Sequence, residues 1–327
     1  MLTRRIMTFA ALATPFAANA PAQAQDSFGG FVAGVKVEAR RQGIREATLT
    51  DAFAGVTPNQ RVIELDRKQP EFNLTWPEYR ARVLPASRLA MAREQFGHQR
   101  ALLARVEARY GVDSGTMVGI WGIESAFGVN KGTYRLTEAL TTLAWEGRRA
   151  AYFRKELMNA LKILDAGDVS AARLTGGWAG AMGQPQFMPS SYLQYAVDFE
   201  GHGKRDIWDS IPDVFGSMGN YLAKNGWRRG EPWGQPVQVP VGLSSGGRDD
   251  RRSLAEWARL GVRRDDGRAF GQTDIAGVLI LPDGAAPGEG YMAYANFTAL
   301  RRYNPSDFYA IAVGLLGDAA AGCTSGC

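Results

Sequence analysis

Cysteine and histidine are almost absent from this 327-residue chain, which contains only two of each. Both cysteines, Cys323 and Cys327, lie within the last five residues, and His98 and His202 show no metal-ligand spacing with them. This distribution argues against a metal centre built from cysteine or histidine and against a cysteine nucleophile. In an oxidising compartment the two cysteines could pair with each other or with a cysteine of a partner protein.

Strong net charge and long apolar runs are also missing. The formal charge of +5 is spread over the whole chain, and no arginine-rich helix with interleaved aromatic residues is present, which argues against nucleic acid as a partner. No nucleotide-binding or redox-cofactor motif is found, so no cofactor is expected to be required. Hydrophobic residues make up 45% of the chain, which is enough for a substantial core.

The N-terminus has the pattern of an export signal. Arg4 and Arg5 precede a short apolar run over residues 6–18, and the small-residue sequence Ala22-Gln23-Ala24 follows as a cleavage site. The run is too short for a permanent membrane span, and no cysteine is available there for a lipid, so no membrane anchor is expected. Residues 1–24 are therefore predicted to be removed and the mature protein to reside in the periplasm.

The remainder of the chain is predicted to be mainly α-helical with a small β-containing insertion, an α+β arrangement. Apolar residues recur at helical spacing in residues 25–110, a predicted N-terminal helical subdomain, and helical segments continue through residues 111–227, a second predicted helical region. Residues 228–292 are richer in proline and glycine and contain short β-type runs, which predicts the insertion. Residues 293–327 return to helix, with Asn304 as a cap and Pro305 at the first helical position.

Glu124 is the first candidate for chemistry. It lies on a predicted helix that begins at about residue 113 and ends near residue 128. The residues at helical spacing around it are all apolar: Met117, Ile120, Trp121 and Phe127. An apolar environment raises the pKa of a carboxyl and favours a protonated general acid, whereas a buried glutamate paired with an arginine is the structural alternative.

The segment Gly176–Tyr195 is the second candidate. It contains no charged residue but is rich in aromatic rings, amides and hydroxyls, including Trp178 and Gln186. Aromatic faces and neutral hydrogen-bonding groups suit a neutral sugar, although a packed loop followed by a helix start has the same composition.

Taken together, five segments resemble the B-type lytic murein transglycosylases, glycoside hydrolase family 103. The segments are GIWGIESAFG (119–128), GWAGAMGQPQFMPSSY (177–192), YAVDFEGHGKRDIWD (195–209), NYLAKNGW (220–227) and NFTALRRYNPSDFYAIAV (296–313). They span nearly the whole mature chain in order, and QFMPSSY and YAVDF are the most specific.

The resemblance implies a lysozyme-like helical core with Glu124 as the catalytic acid/base. The family positions that contact glycan correspond to Gln186, Tyr221, Tyr303, Asn304 and Tyr309. Peptidoglycan glycan strands are the expected partner, and other cell-wall enzymes are candidate partners.

Two positions depart from the family pattern. Gly177 stands where a polar serine is common, which removes a contact to the sugar or to the acid, or leaves it to water. Pro185 stands where the family usually has a less rigid residue. Neither change alters Glu124.

The residues from Asp198 to Asp209 have the length of a calcium-binding loop, with a glycine at the sixth place. Related proteins carry an EF-hand-like site here, so Asp198, Glu200, Asp209 and Asp213 are candidate ligands of a structural Ca²⁺. Glu200 and His202 replace the short carboxylates expected at the third and fifth places, which predicts weak or absent binding. A loop that needs no ion is the alternative.

The expected reaction is cleavage of the MurNAc–GlcNAc β-1,4 bond with formation of a 1,6-anhydro-MurNAc end, because only one obvious catalytic carboxyl is present. A hydrolytic muramidase would need a second acid such as Asp113, Glu138 or Glu146. A non-catalytic peptidoglycan-binding protein is the other alternative, but an idle buried acid would only destabilise the fold.

Overall fold

Residues 27–68, 74–271, 273–284 and 289–323 are described by the computed structural model. Most of them are helical, and the strands form a small antiparallel sheet, so the predicted fold class is confirmed. The helices are α1 (Phe28–Arg41), α2 (Glu46–Phe53), α3 (Gln60–Arg67), α4 (Trp76–Val83), α5 (Ala86–Tyr110), α6 (Ser114–Ser125), α7 (Leu136–Glu146), α8 (Ala150–Ala166), α9 (Pro189–Tyr195), α10 (Ile211–Lys224), α11 (Leu254–Arg259), α12 (Ala295–Tyr303) and α13 (Asp307–Ala321).

The signal predicted over residues 1–24 lies outside the described residues. Within the described part of the chain, no helix is both long and apolar enough to span a membrane.

Helix α6 lies at the centre of the helical core, between α5 and α13. Its glycines allow the close approach of α13. A Cβ added at Gly119 would lie 2.3 Å from the carbonyl oxygen of Val313, and one added at Gly115 would lie 2.8 Å from that of Gly317. Any larger residue at these positions would force the two helices apart, because the atoms it meets are backbone. This packing fixes α13 against the helix that carries Glu124.

The strands fall into two groups. The short pair β1 (Tyr134–Arg135) and β2 (Thr175–Gly176) closes a turn beside α7, and the larger sheet has the strand order β4-β6-β7-β3-β5. The strands of that sheet are β3 (Gly234–Gln238), β4 (Arg251–Ser253), β5 (Arg263–Arg264), β6 (Ala276–Ile280) and β7 (Gly290–Ala293). In its register Val278 pairs with Ala293, and the sheet covers a separate apolar cluster around Trp257.

The helix predicted to begin at about residue 113 begins there in the structure. Asp113 caps α6 by accepting a hydrogen bond from the Thr116 N–H at 2.7 Å, and α9 begins at Pro189. The prediction for the last helix is wrong by two residues. Asn304 is extended at the end of α12, and Ser306 is the residue that caps α13.

Candidate active site

Glu124 is the penultimate residue of α6, where the helix stops abruptly. The next two residues, Ala126 and Phe127, adopt left-handed backbone conformations with φ of 49° and 59°, which non-glycine residues rarely adopt. The Ser125 hydroxyl donates to the Trp121 carbonyl and accepts from the Gly128 N–H at 3.1 Å, so the turn is held by hydrogen bonds. The strained turn exposes the last helical turn to a cleft while the rest of α6 stays buried.

The carboxyl of Glu124 is desolvated and has one protein partner. Its predicted apolar neighbours are core residues, among them Met117 and Ile120 with no exposed surface. Burial raises the pKa of Glu124 from 4.5 to about 7, against a smaller lowering by a hydrogen bond from Tyr309. The Tyr309 hydroxyl donates that bond to Glu124 Oε1 at 2.8 Å, which leaves Oε2 without a hydrogen-bond partner among the described residues.

Glu124 opens into a cavity of about 380 Å³. The described residues that line it come mainly from the end of α6, from helix α4 and from the segment around Asn304. They are Leu74, Tyr79, Arg82, Val83, Ile123, Glu124, Gln186, Asn304 and Tyr309. Three of the five cleft positions implied by the resemblance are therefore brought to the acid: Gln186, Asn304 and Tyr309. Glu124 is the sole carboxylate among these lining residues.

Gln186 is held in the cavity by a strained backbone, with φ of 51°. Its Nε2 donates to the Gly183 carbonyl at 2.8 Å and to the Lys131 carbonyl at 3.3 Å, so the amide is oriented before any ligand arrives. A Cβ added at Gly177 would lie 3.5 Å from Gln186 Oε1, which is an ordinary contact distance. A serine at that position would thus fit beside Gln186.

Packed tyrosines form the wall behind Tyr309. Tyr303 stacks on Tyr309 with the ring centroids 6.4 Å apart, and its hydroxyl donates to the Pro185 carbonyl at 2.6 Å. Tyr221 packs on Tyr303 at 4.7 Å and donates to the Arg302 carbonyl at 2.6 Å. Burial raises the pKa of Tyr221 to about 12. Both hydroxyls donate to backbone carbonyls of the protein, and the packed rings hold Tyr309 in place.

Three of the predicted sugar-contacting residues do not line this cavity: Tyr303, which belongs to the wall behind Tyr309, Tyr221 and Trp178. Tyr221 is only 8% exposed and its hydroxyl is occupied by a backbone carbonyl, so its position is a supporting one. Trp178 is partly buried against the helical core, in the loop after β2. The sequence could not separate these positions, because an aromatic ring suits a sugar and a core equally well.

The carboxylates that a hydrolase would require lie elsewhere. Asp113 caps the opposite end of α6, roughly 16 Å away along the helix axis. Glu138 accepts a hydrogen bond from Asn59 at 2.8 Å, and Glu146 is paired with Arg67 at 2.8 Å. None of the three lines the cavity of Glu124.

Two of the four candidate calcium ligands accept hydrogen bonds from backbone N–H groups. Asp198 accepts hydrogen bonds from the N–H groups of residues 201–203, the first two at 2.8 and 2.9 Å. Asp213 accepts from the N–H groups of Phe199 at 2.9 Å and Asp206 at 2.8 Å. These hydrogen bonds join residues 198–213 into a closed loop.

The other two candidate ligands are held by cations of the protein. Glu200 forms an ion pair with Arg105 at 2.9 Å, and Asp209 pairs with Lys131 at 2.8 Å and with Arg173. No group of three or more acidic, histidine or cysteine side chains suited to a metal occurs in the described residues. The assignment of Asp198, Glu200, Asp209 and Asp213 as ligands of a weakly bound or absent Ca²⁺ stays a prediction, and an ion would have to replace these partners in order to bind.

The sequence analysis missed the contribution of α4. Trp76 anchors this helix: it is fully buried, its Nε1 donates to Glu289 at 2.8 Å, and its ring packs on Phe308 of α13. The anchored helix places Tyr79 and Arg82 in the cavity. The only local signal was the Thr75 capping box, which predicts a helix start but not what the helix faces.

Cys323 is disulfide-bonded. The other cysteine of the chain, Cys327, lies outside the described residues.

Comparison with known proteins agrees with this geometry. Residues 27–318 match the family described as Transglycosylase SLT domain. The membrane-bound lytic murein transglycosylase B of Escherichia coli (strain K12) is 34% identical over 258 residues, which are 76% of this chain and 68% of that protein.

Solved structures are also similar over most of the chain. SltB3 from Pseudomonas aeruginosa, in complex with NAG-NAM-pentapeptide, is 41% identical with a TM-score of 0.87 and covers 91% of this chain and 80% of its own. The Escherichia coli lytic transglycosylase Slt35, in complex with calcium, is 30% identical with a TM-score of 0.76. The match covers 91% of this chain and 93% of that chain. The chain therefore belongs to the SLT-domain family of lytic transglycosylases, as its sequence motifs predict.

Proposed function

We propose that this chain cleaves the MurNAc–GlcNAc β-1,4 bond of peptidoglycan and leaves a 1,6-anhydro-MurNAc end, with Glu124 carrying both proton transfers. One observation carries the proposal: Glu124, with a pKa of about 7, is the single carboxyl among the described residues that line the cavity. The P. aeruginosa relative was solved with both NAG-NAM-pentapeptide and NAG-anhNAM-pentapeptide, which supports the same substrate and product here.

In the first step the protonated Glu124 acts as general acid. It donates its proton to the glycosidic oxygen, the bond from that oxygen to C1 of MurNAc breaks, and the GlcNAc side leaves with a hydroxyl at C4. Because Tyr309 occupies Oε1, the proton is delivered from Oε2.

In the second step the Glu124 carboxylate acts as base. It accepts the proton of the 6-hydroxyl of the same MurNAc, whose oxygen bonds to C1 and closes the anhydro ring. The proton returns to Glu124, so no water is consumed. A tethered hydroxyl has a high effective concentration, which lets it compete with water. A hydrolase would instead require a second carboxylate to activate water, and Asp113, Glu138 and Glu146 are all remote.

Mass spectrometry of the products from purified cell wall tests the reaction. Wild-type protein should release fragments with anhydro ends that resist borohydride reduction. Glu124→Gln keeps the size of the side chain but cannot transfer a proton, so its rate should fall by about a hundredfold to ten-thousandfold. Reducible muramic ends from the wild type would make the protein a hydrolase, and an active Glu124→Gln variant would place the acid elsewhere.

We also propose that the mature protein acts in the periplasm, which rests on the signal pattern of residues 1–24. Protein recovered from the periplasm should begin at or near Gln25 by N-terminal sequencing. Recovered protein that still begins at Met1 would contradict the proposal.

A further inference from the structure

Arg82 is the one cation among the described residues that line the Glu124 cavity. Its side chain is exposed and forms no hydrogen bond or ion pair with the residues that the structure describes. The neighbouring arginine on the same helix behaves differently, because Arg80 points away and pairs with Glu289. Helix α4 thus uses one arginine for its own anchoring and presents the other to the cleft.

Arg82 does not serve the catalytic acid directly. A cation close to Glu124 would stabilise the carboxylate and lower its pKa. The pKa of Glu124 is instead raised by burial, and only the hydrogen bond from Tyr309 opposes that effect. Arg82 and Glu124 line the same cavity without a hydrogen bond or ion pair between them, so the guanidinium is available to another part of a bound glycan.

The anionic groups of a peptidoglycan strand all belong to its muramic residues. N-acetylglucosamine is neutral, whereas MurNAc carries a lactyl ether that ends in a carboxylate when naked and in a peptide, with carboxylates of its own, when substituted. The planar fork of a guanidinium matches a carboxylate in two parallel hydrogen bonds. Leu74, Val83 and Ile123 line the same cavity and offer apolar contact to the lactyl methyl group.

We propose that Arg82 binds a carboxylate carried by the muramic residue and so favours MurNAc over N-acetylglucosamine in the cleft. The inference rests on the proposed function, since it assumes a muramic residue in this cavity. It makes Arg82 a specificity-determining residue rather than a catalytic one: removal should weaken substrate binding and leave the chemical step unchanged.

Three soluble substrates show whether Arg82 binds the lactyl carboxylate or a peptide carboxylate. They are naked glycan strands, the same strands with the lactyl carboxylates capped as methylamides, and strands that carry peptides. Arg82→Gln should raise KM by about fivefold to tenfold, with kcat unchanged, on the strand whose carboxylate it binds. An effect on naked strands that disappears on capping identifies the lactyl carboxylate. An effect confined to peptide-bearing strands identifies a peptide carboxylate. Arg82→Lys keeps the charge and should recover part of the affinity.

Arg93→Gln is the matched control, because Arg93 is an exposed arginine on α5 that does not line the cavity. It should leave all three KM values unchanged. The proposal is overturned if Arg82→Gln matches the wild type on every substrate, or if it raises KM equally on the capped naked strand, which has no carboxylate. Product ends measured in the same reactions keep the two proposals apart: reducible ends refute the anhydro reaction, whereas unchanged KM values with anhydro ends refute only the role of Arg82.

Discussion

Replacing Glu124 by glutamine should stabilise the folded protein at neutral pH and have little effect in acid. Burial raises the pKa of Glu124 from 4.5 to about 7 in the folded protein. Between these two pH values the unfolded chain has released the proton while the folded protein still holds it. The folded state then binds more protons, so the stability of the wild type falls as the pH rises.

The expected size of the effect follows from the two pKa values. A rise from 4.5 to about 7 corresponds to about 3 kcal/mol of lost stability once the pH exceeds the folded-state value. Glutamine has no proton to release, so it escapes this loss. The advantage of Glu124→Gln over the wild type should be close to zero below about pH 4.5 and should grow to about 3 kcal/mol above about pH 7.

Urea unfolding of both proteins at several pH values between about 4 and 8 measures this difference directly. Glu94→Gln is a suitable control, since it makes the same substitution at an exposed position on α5 outside the cleft. An advantage of Glu124→Gln that is the same at every pH, or a variant less stable than the wild type at about pH 8, would refute the assignment of a desolvated acid at position 124.

Three further outcomes are expected. Tyr309→Phe removes the hydrogen bond that lowers the pKa of Glu124, so the alkaline limb of the kcat/KM profile should move to higher pH; an unmoved limb would show that Tyr309 does not tune the acid. Chelator should leave the melting temperature unchanged, because protein cations and backbone groups hold the carboxylates of residues 198–209; a large drop restored by calcium alone would contradict this. Gly119→Ala should destabilise by about 1–3 kcal/mol in urea unfolding, whereas Gly97→Ala, with nothing within 4 Å, should not.

The helix around Glu124 could be predicted from the sequence because its environment is local. Met117, Ile120 and Trp121 share one face with Glu124 through the helical repeat alone, and all three are buried in the structure. Spacing along one helix is thus enough to predict a raised pKa. The predicted start of this helix at about residue 113 is local in the same way, and in the structure Asp113 is the cap.

The opposite side of the cleft could not be predicted, because it is set by tertiary contacts. Arg82 lies 42 positions before Glu124 in the chain, and its place depends on how Trp76 packs against α13 and the segment near Glu289. Tyr221 was predicted to contact sugar, but in the structure it belongs to the tyrosine wall behind Tyr309. Its hydroxyl donates to the Arg302 carbonyl. Residue type alone does not distinguish these outcomes.

The two contacts of Glu124 explain how one carboxyl can serve as both acid and base. Burial favours the protonated form, which the first step needs, and the hydrogen bond from Tyr309 favours the carboxylate, which the second step needs. With burial the larger effect, the pKa settles at about 7, where both forms are well populated near neutral pH. The close packing of α6 on α13 produces both contacts at once: it excludes water from the helix and brings Tyr309 to Oε1. Loosening that packing should therefore weaken the acid step and the base step together, even though no reacting atom is touched.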